Sequence, residues 1–171
     1  MPEARSRVSH PARRARSPRP SVPFVVAFLL GLLGPTVSAE EPIEKRLDTI
    51  FGEHERYLAF FQQLKDSVVR DDRKAVAGLL NYPLDVFHGR RRTVVRSPVE
   101  FLKRYPEVFN ENVIRAVKSQ EANALFANWR GVMLGNGQVW FSGVCAGGDR
   151  SQPCADKVIK VITINTDAPR T

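Results

Sequence analysis

Histidine and cysteine are scarce, with three histidines and two cysteines in 171 residues. Only His54 and His88 lie beyond residue 39. That inventory excludes most metal chemistry, because a structural zinc needs about four ligands and a catalytic zinc about three. His54-Glu55-Arg56-Tyr57-Leu58 begins like a metalloprotease helix, but Leu58 stands where the second histidine must be. No serine occupies a nucleophile turn either. Ser142, within Trp140-Phe141-Ser142-Gly143-Val144, lacks the glycine two positions before it. Phosphate-cradling loops are missing too, since Gly147-Gly148 falls between Cys145 and Cys154. The residues call for no metal and no cofactor.

Apolar runs long enough to span a bilayer are also missing. The longest, Phe24-Val25-Val26-Ala27-Phe28-Leu29-Leu30-Gly31-Leu32-Leu33, stops well short of the roughly 20 residues a spanning helix needs. It follows a lead bearing Arg5, Arg7, Arg13, Arg14, Arg16 and Arg19. Val37-Ser38-Ala39 then supplies small residues three and one before a cut. These are the three parts of a secretory signal. The expectation is a leader over residues 1–39, a single domain over residues 40–171, and a periplasmic or secreted mature protein without a further membrane span.

The leader also explains the charge. The whole chain carries +8, yet six arginines against one glutamate fall in the first 39 residues, leaving 20 basic and 17 acidic residues beyond them. A surface so nearly balanced gives no reason to expect nucleic-acid binding. Cys145 and Cys154 in an oxidising compartment predict a disulfide.

Beyond residue 40, Ile43, Leu47, Ile50, Phe51, Leu58, Phe61, Leu64 and Val68 recur at helical spacing, as one helix or two broken near Gly52. Asp71-Asp72 can cap a short helix carrying Val76, Leu79 and Leu80. Alternation from Tyr82 to His88, then Gly89-Arg90, then Thr93-Val94-Val95, reads as strand, turn and strand. Ser97-Pro98-Val99-Glu100 is a capping box with proline at the first helical position. Asn110 can cap a further helix holding Val113, Ile114 and Val117.

Leu125–Leu134 and Val139–Val144 flank Gly135-Asn136-Gly137-Gln138, and Asn-Gly between apolar runs is a strong hairpin signal. That turn sets Leu134 opposite Val139, Met133 opposite Trp140, Val132 opposite Phe141 and Trp129 opposite Val144. Alternation then puts Val132, Leu134, Val139 and Phe141 on one face, and Trp129, Met133, Trp140 and Val144 on the other. Both faces are apolar. Lys157–Asn165, rich in valine and isoleucine, is a third strand.

Helices, a hairpin, a helix and then a three-stranded meander give an α+β chain that resembles the NTF2-like (cystatin-like) superfamily. Phrases such as Leu80-Asn81-Tyr82-Pro83-Leu84 and Phe101-Leu102-Lys103-Arg104-Tyr105 are similar to those of small secreted bacterial members. So is Gly131–Phe141, with its Gly135-Asn136-Gly137 turn. The resemblance implies helices packed on a curved antiparallel sheet, a cone. The superfamily includes isomerases, dehydratases and non-catalytic binding modules, so the fold alone does not choose a function.

Three clusters are candidates. Asp85, His88 and Tyr82 could serve a lyase or isomerase whose cone holds a small ligand beside a general base. Strand alternation separates Asp85 from the other two unless a bulge intervenes. Arg90, Arg91 and Arg92, after Gly89, could meet lipid phosphate, lipopolysaccharide or an acidic partner, or could be a solvated turn. Trp129, Met133 and Trp140 place large apolar groups where a sheet backed by helices needs none. They could meet a protein partner, a small apolar ligand, a second copy in a homodimer or the chain's own N-terminal helix. The expectation is a non-catalytic binding or assembly module working through this face, with the enzyme and an envelope inhibitor or immunity-type protein as rivals.

Overall fold

The computed structural model describes residues 41–145 and 156–167. The expected leader, and Cys154 with its pairing to Cys145, lie outside the described residues. The described residues belong to one unit, Ala39–Thr171.

Two helices open it, α1 (Ile43–Phe51) and α2 (Glu55–Val69). They part at Gly52, whose φ of 83° lies in the left-handed region that glycine enters without a Cβ clash. Asp72 caps α3 (Arg73–Leu79), its side chain accepting from the Ala75 amide at 2.9 Å. Leu80, expected on that helix, instead begins β1 (Leu80–His88). The Gly89-Arg90 turn returns the chain into β2 (Arg91–Val95).

Ser97 caps α4 (Pro98–Lys103), accepting from the Glu100 amide, while the Glu100 carboxylate accepts from the Arg96 amide. Helices α5 (Tyr105–Val108) and α6 (Glu111–Ser119) follow, the second capped by Asn110. After a 3₁₀ turn at Ala122–Ala124 come β3 (Phe126–Asn128), β4 (Gly131–Leu134), β5 (Val139–Cys145) and β6 (Lys157–Asn165).

The six strands form one sheet in the order β2-β1-β6-β5-β4-β3. It is mixed, and this corrects the antiparallel sheet implied by the resemblance. Strands β1 and β6 run parallel. The chain between them is long enough for the crossover a parallel pair requires.

The register of the second hairpin is the one the Asn-Gly turn implies, with Leu134 opposite Val139, Met133 opposite Trp140 and Val132 opposite Phe141. Trp129 departs from it. The apolar run before Leu134 is two strands, because the chain turns at Trp129-Arg130 between β3 and β4. The Asn128 side chain accepts from the Arg130 amide at 2.8 Å and closes that turn. Val144 accordingly pairs with Val158.

The core lies on one face of the sheet. Val86, Val95, Val132, Leu134, Val139, Phe141, Val161 and Ile164 are fully buried there. From the helices come Leu47, Leu64, Val76, Phe101, Val108, Val113 and Val117. Phe60 and Tyr57 of α2 reach Phe141, with ring centroids 5.1 and 6.3 Å away. Both N-terminal helices are thus committed to this face.

Candidate functional site

The opposite face carries one row that crosses all six strands. Pairing sets Val94 beside Asp85, Asp85 beside Thr163, Thr163 beside Trp140, Trp140 beside Met133 and Met133 beside Phe126. Phe126 is 43% exposed and the others are half-buried, while Leu84, Val86, Val132, Leu134, Val139, Phe141 and Ile164, their strand neighbours, are buried. Period-two alternation is thus intact along the row. Four of its six members are apolar or aromatic.

Strand β6 is irregular on both sides at the same place. Against β5 the register moves from Trp140–Thr163 to Phe141–Val161, which leaves Ile162 as an extra residue. Against β1 it moves from Leu80–Val161 to Asp85–Thr163, so that β1 bows around Pro83. Two recesses flank this irregularity and share Ile162 and Thr163. One, of about 270 Å³, is completed by Arg130, Trp140 and Asn165. The other, of about 510 Å³, runs from Asp85 and Pro83 to Val144 and Cys145.

Trp129 is 78% exposed at the β3–β4 turn, and the Arg130 guanidinium lies 4.9 Å from its ring centroid. The same Arg130 lines the smaller recess, so the turn joins the open face to Trp140. Asn165 is held in place by donating its side-chain amide to the Gly137 carbonyl.

Asp85, Tyr82 and His88 are divided. Asp85 and Tyr82 both line the larger recess. Asp85 accepts a hydrogen bond from Arg92 at 2.7 Å, and the Tyr82 hydroxyl donates to the Ala77 carbonyl at 3.1 Å. His88 is elsewhere, with Nδ1 2.8 Å from the Thr166 hydroxyl and Nε2 3.5 Å from Glu107 of α5. Its Nε2 is buried without a hydrogen-bond partner among the described residues. His88 does not line the larger recess, so the imidazole and the Asp85 carboxylate do not share it.

The arginine cluster is likewise spread out. Arg90 sits in the turn, Arg91 pairs with His88 and Arg92 with Phe87, and alternation sends Arg91 and Arg92 to opposite faces. Arg92 joins Asp85, whereas Arg91 lies near enough to Glu107 to help hold its carboxyl below the usual range, after the larger effect of Arg104. His54, the first residue of the incomplete metalloprotease motif, precedes α2 and faces Asp48 at 2.9 Å. No metal-ligating cluster occurs among the described residues. No helix among them is long and apolar enough to cross a membrane.

No protein-family model, curated protein or solved structure matches this chain.

Sequence patterning singled out Met133 and Trp140 for this face and missed Phe126, Thr163, Ile162 and Arg130. Phe126 joins only because the chain folds back at Trp129-Arg130. Ile162 and Thr163 line the recesses because of a bulge that no glycine or proline marks within Lys157–Asn165.

All three tyrosines of the chain, Tyr57, Tyr82 and Tyr105, have their hydroxyls pushed above the ordinary value of 10.0, chiefly by burial, and Tyr82 is pushed up to about 12. Alkaline titration of the native protein is expected to show less tyrosinate absorbance at pH 10 than free phenols, which are half ionised there. The stabilisation linked to these groups is complete below pH 10 and is lost as pH rises through the raised values. Half-ionisation of one phenol at pH 10 in the folded protein would contradict this packing.

Proposed function

We propose that the chain is an exported, NTF2-like binding module whose working surface is the open face of the sheet, centred on Trp140 and Met133. The observation that carries this reading is the row from Val94 to Phe126, which leaves the Trp140 indole and the Met133 thioether half-buried and the Phe126 ring 43% exposed across the sheet. Folding gains little from leaving such groups in water, and a contiguous apolar patch of this kind is the usual mark of an interaction surface. Trp129 and Arg130 extend it at one end.

The order of helices and strands supports the NTF2-like assignment, and the leader supports export. A protein partner, a small ligand or a second copy in a homodimer are the occupants such a face can take. Catalysis draws no support from the geometry. The interior is lined by fully buried leucine, valine and phenylalanine, and Asp85 and His88 do not meet.

Trp140→Ala tests the reading. Self-association by analytical ultracentrifugation and binding of an anilinonaphthalene sulfonate dye are compared with the parent protein, with circular dichroism confirming the fold. Removing a central aromatic anchor is expected to weaken one of these by about tenfold or more. If both were unchanged in a folded variant, the open face would not be the working surface.

A further inference from the structure

We infer that the ligand of the open face is an oligosaccharide strand, laid along the two recesses that meet at Ile162 and Thr163. This rests on the open face being the binding surface. The larger recess, about 510 Å³, falls within the roughly 300–1,000 Å³ that small-molecule sites occupy, and the smaller, about 270 Å³, adjoins it at Ile162 and Thr163, an arrangement that suits an extended ligand.

Their linings pair an aromatic ring with planar or hydroxylic hydrogen-bonding groups. In the smaller recess the Trp140 indole stands with Arg130, Thr163 and Asn165. In the larger one Asn81 and Asp85 stand with Tyr82 and Pro83. A pyranose ring has the complementary chemistry: a face of C–H groups that stacks on an aromatic ring, and a rim of hydroxyls that each donate and accept. A purely apolar ligand would cover Thr163, Asn81 and Arg130 without replacing their water, which costs binding energy.

Charge narrows the class further. Asp85 is balanced by Arg92, whereas Arg130 makes no ion pair with any described residue and only stacks on Trp129. Among the described residues that line the groove, Arg130 is thus the guanidinium without an ion-pair partner, which favours neutral or acidic sugars over cationic ones. Arginine binds a carboxylate through two parallel bonds, so a uronic acid unit placed beside Trp140 gains most.

Three soluble probes decide the matter: cellotetraose, the fully N-acetylated chitotetraose and tetragalacturonate, titrated into the purified protein with tryptophan fluorescence and calorimetry as readouts. At least one is expected to bind with Kd below about 1 mM, with Trp140→Ala weakening it about tenfold or more and Arg130→Gln weakening tetragalacturonate more than cellotetraose. Should Trp140→Ala fail to fold, Thr163→Val, at a half-buried surface position shared by both recesses, serves in its place. If no probe bound at about 10 mM, or binding were indifferent to these substitutions, the saccharide inference would fall. Dye binding or self-association that still depended on Trp140 would then leave the binding face standing, and its independence of Trp140 would remove both.

Discussion

Replacing Phe141 by alanine is expected to destabilise the fold by about 3–5 kcal/mol, whereas replacing its neighbour Trp140 costs on the order of 1 kcal/mol. The two residues are adjacent on β5 and similar in kind, yet the strand points them to opposite sides of the sheet. Phe141 is fully buried against Phe60 and Tyr57, so truncation leaves a cavity inside packed helices that close it only in part. Trp140 is half-buried on the open face, where water fills the vacated space. Urea denaturation of both variants checks this, read as a change in midpoint at constant slope. Equal losses would mean that both faces are covered in solution, and the open face would lose its claim to be a binding surface.

The second large effect is expected at Gly131. Its φ is 144°, and a Cβ built there would stand 2.5 Å from the Phe141 carbonyl oxygen and 3.1 Å from the Ser142 Cβ. The first of these is backbone of the adjacent strand and cannot swing aside. Gly131→Ala therefore combines strained backbone, about 1–3 kcal/mol, with overpacking of similar size, for a total of roughly 2–6 kcal/mol. Gly52→Ala is the control for strain alone. Gly52 has φ of 83° with nothing within 4 Å of its Cβ position, so about 1–2 kcal/mol is expected. Thermal melts of the two variants check the difference. Near-equal costs would show that β4 and β5 are not held this closely at Gly131.

Local chemistry made most of the elements legible. Asp72, Ser97 and Asn110 cap the helices their positions imply, and Gly52 separates α1 from α2. The Asn136-Gly137 turn settled the register of β4 on β5, and with it the burial of Val132, Leu134, Val139 and Phe141. These are short-range constraints, carried by neighbouring residues.

Long-range pairing was not legible. Nothing local to Leu80–His88 announces that its partner will be β6, seventy or more residues on, or that the two run parallel. The turn at Trp129-Arg130 does carry turn residues, Asn128 and Gly131, but the stronger Asn136-Gly137 signal extends one strand back through them, and Trp129 lies at a hairpin tip instead of on the sheet face. Of the candidate site, Met133 and Trp140 followed from alternation, while Thr163 beside Trp140 depends on the bulge at Ile162. The separation of Asp85 from His88 did follow from alternation. Tyr82 reaches the recess with Asp85 because β1 bows at Pro83.

The most direct measurement is a backbone and methyl resonance map of the protein titrated with the best-binding saccharide probe or, failing one, with the naphthalene sulfonate dye. Shifts are expected to concentrate at Met133, Trp140, Thr163 and Asp85, with Arg130 at the edge, and to leave α2 and α3 unmoved. Shifts gathered instead on the helices, or around His88 and Glu107, would contradict the claim that the open face of the sheet is where this protein binds.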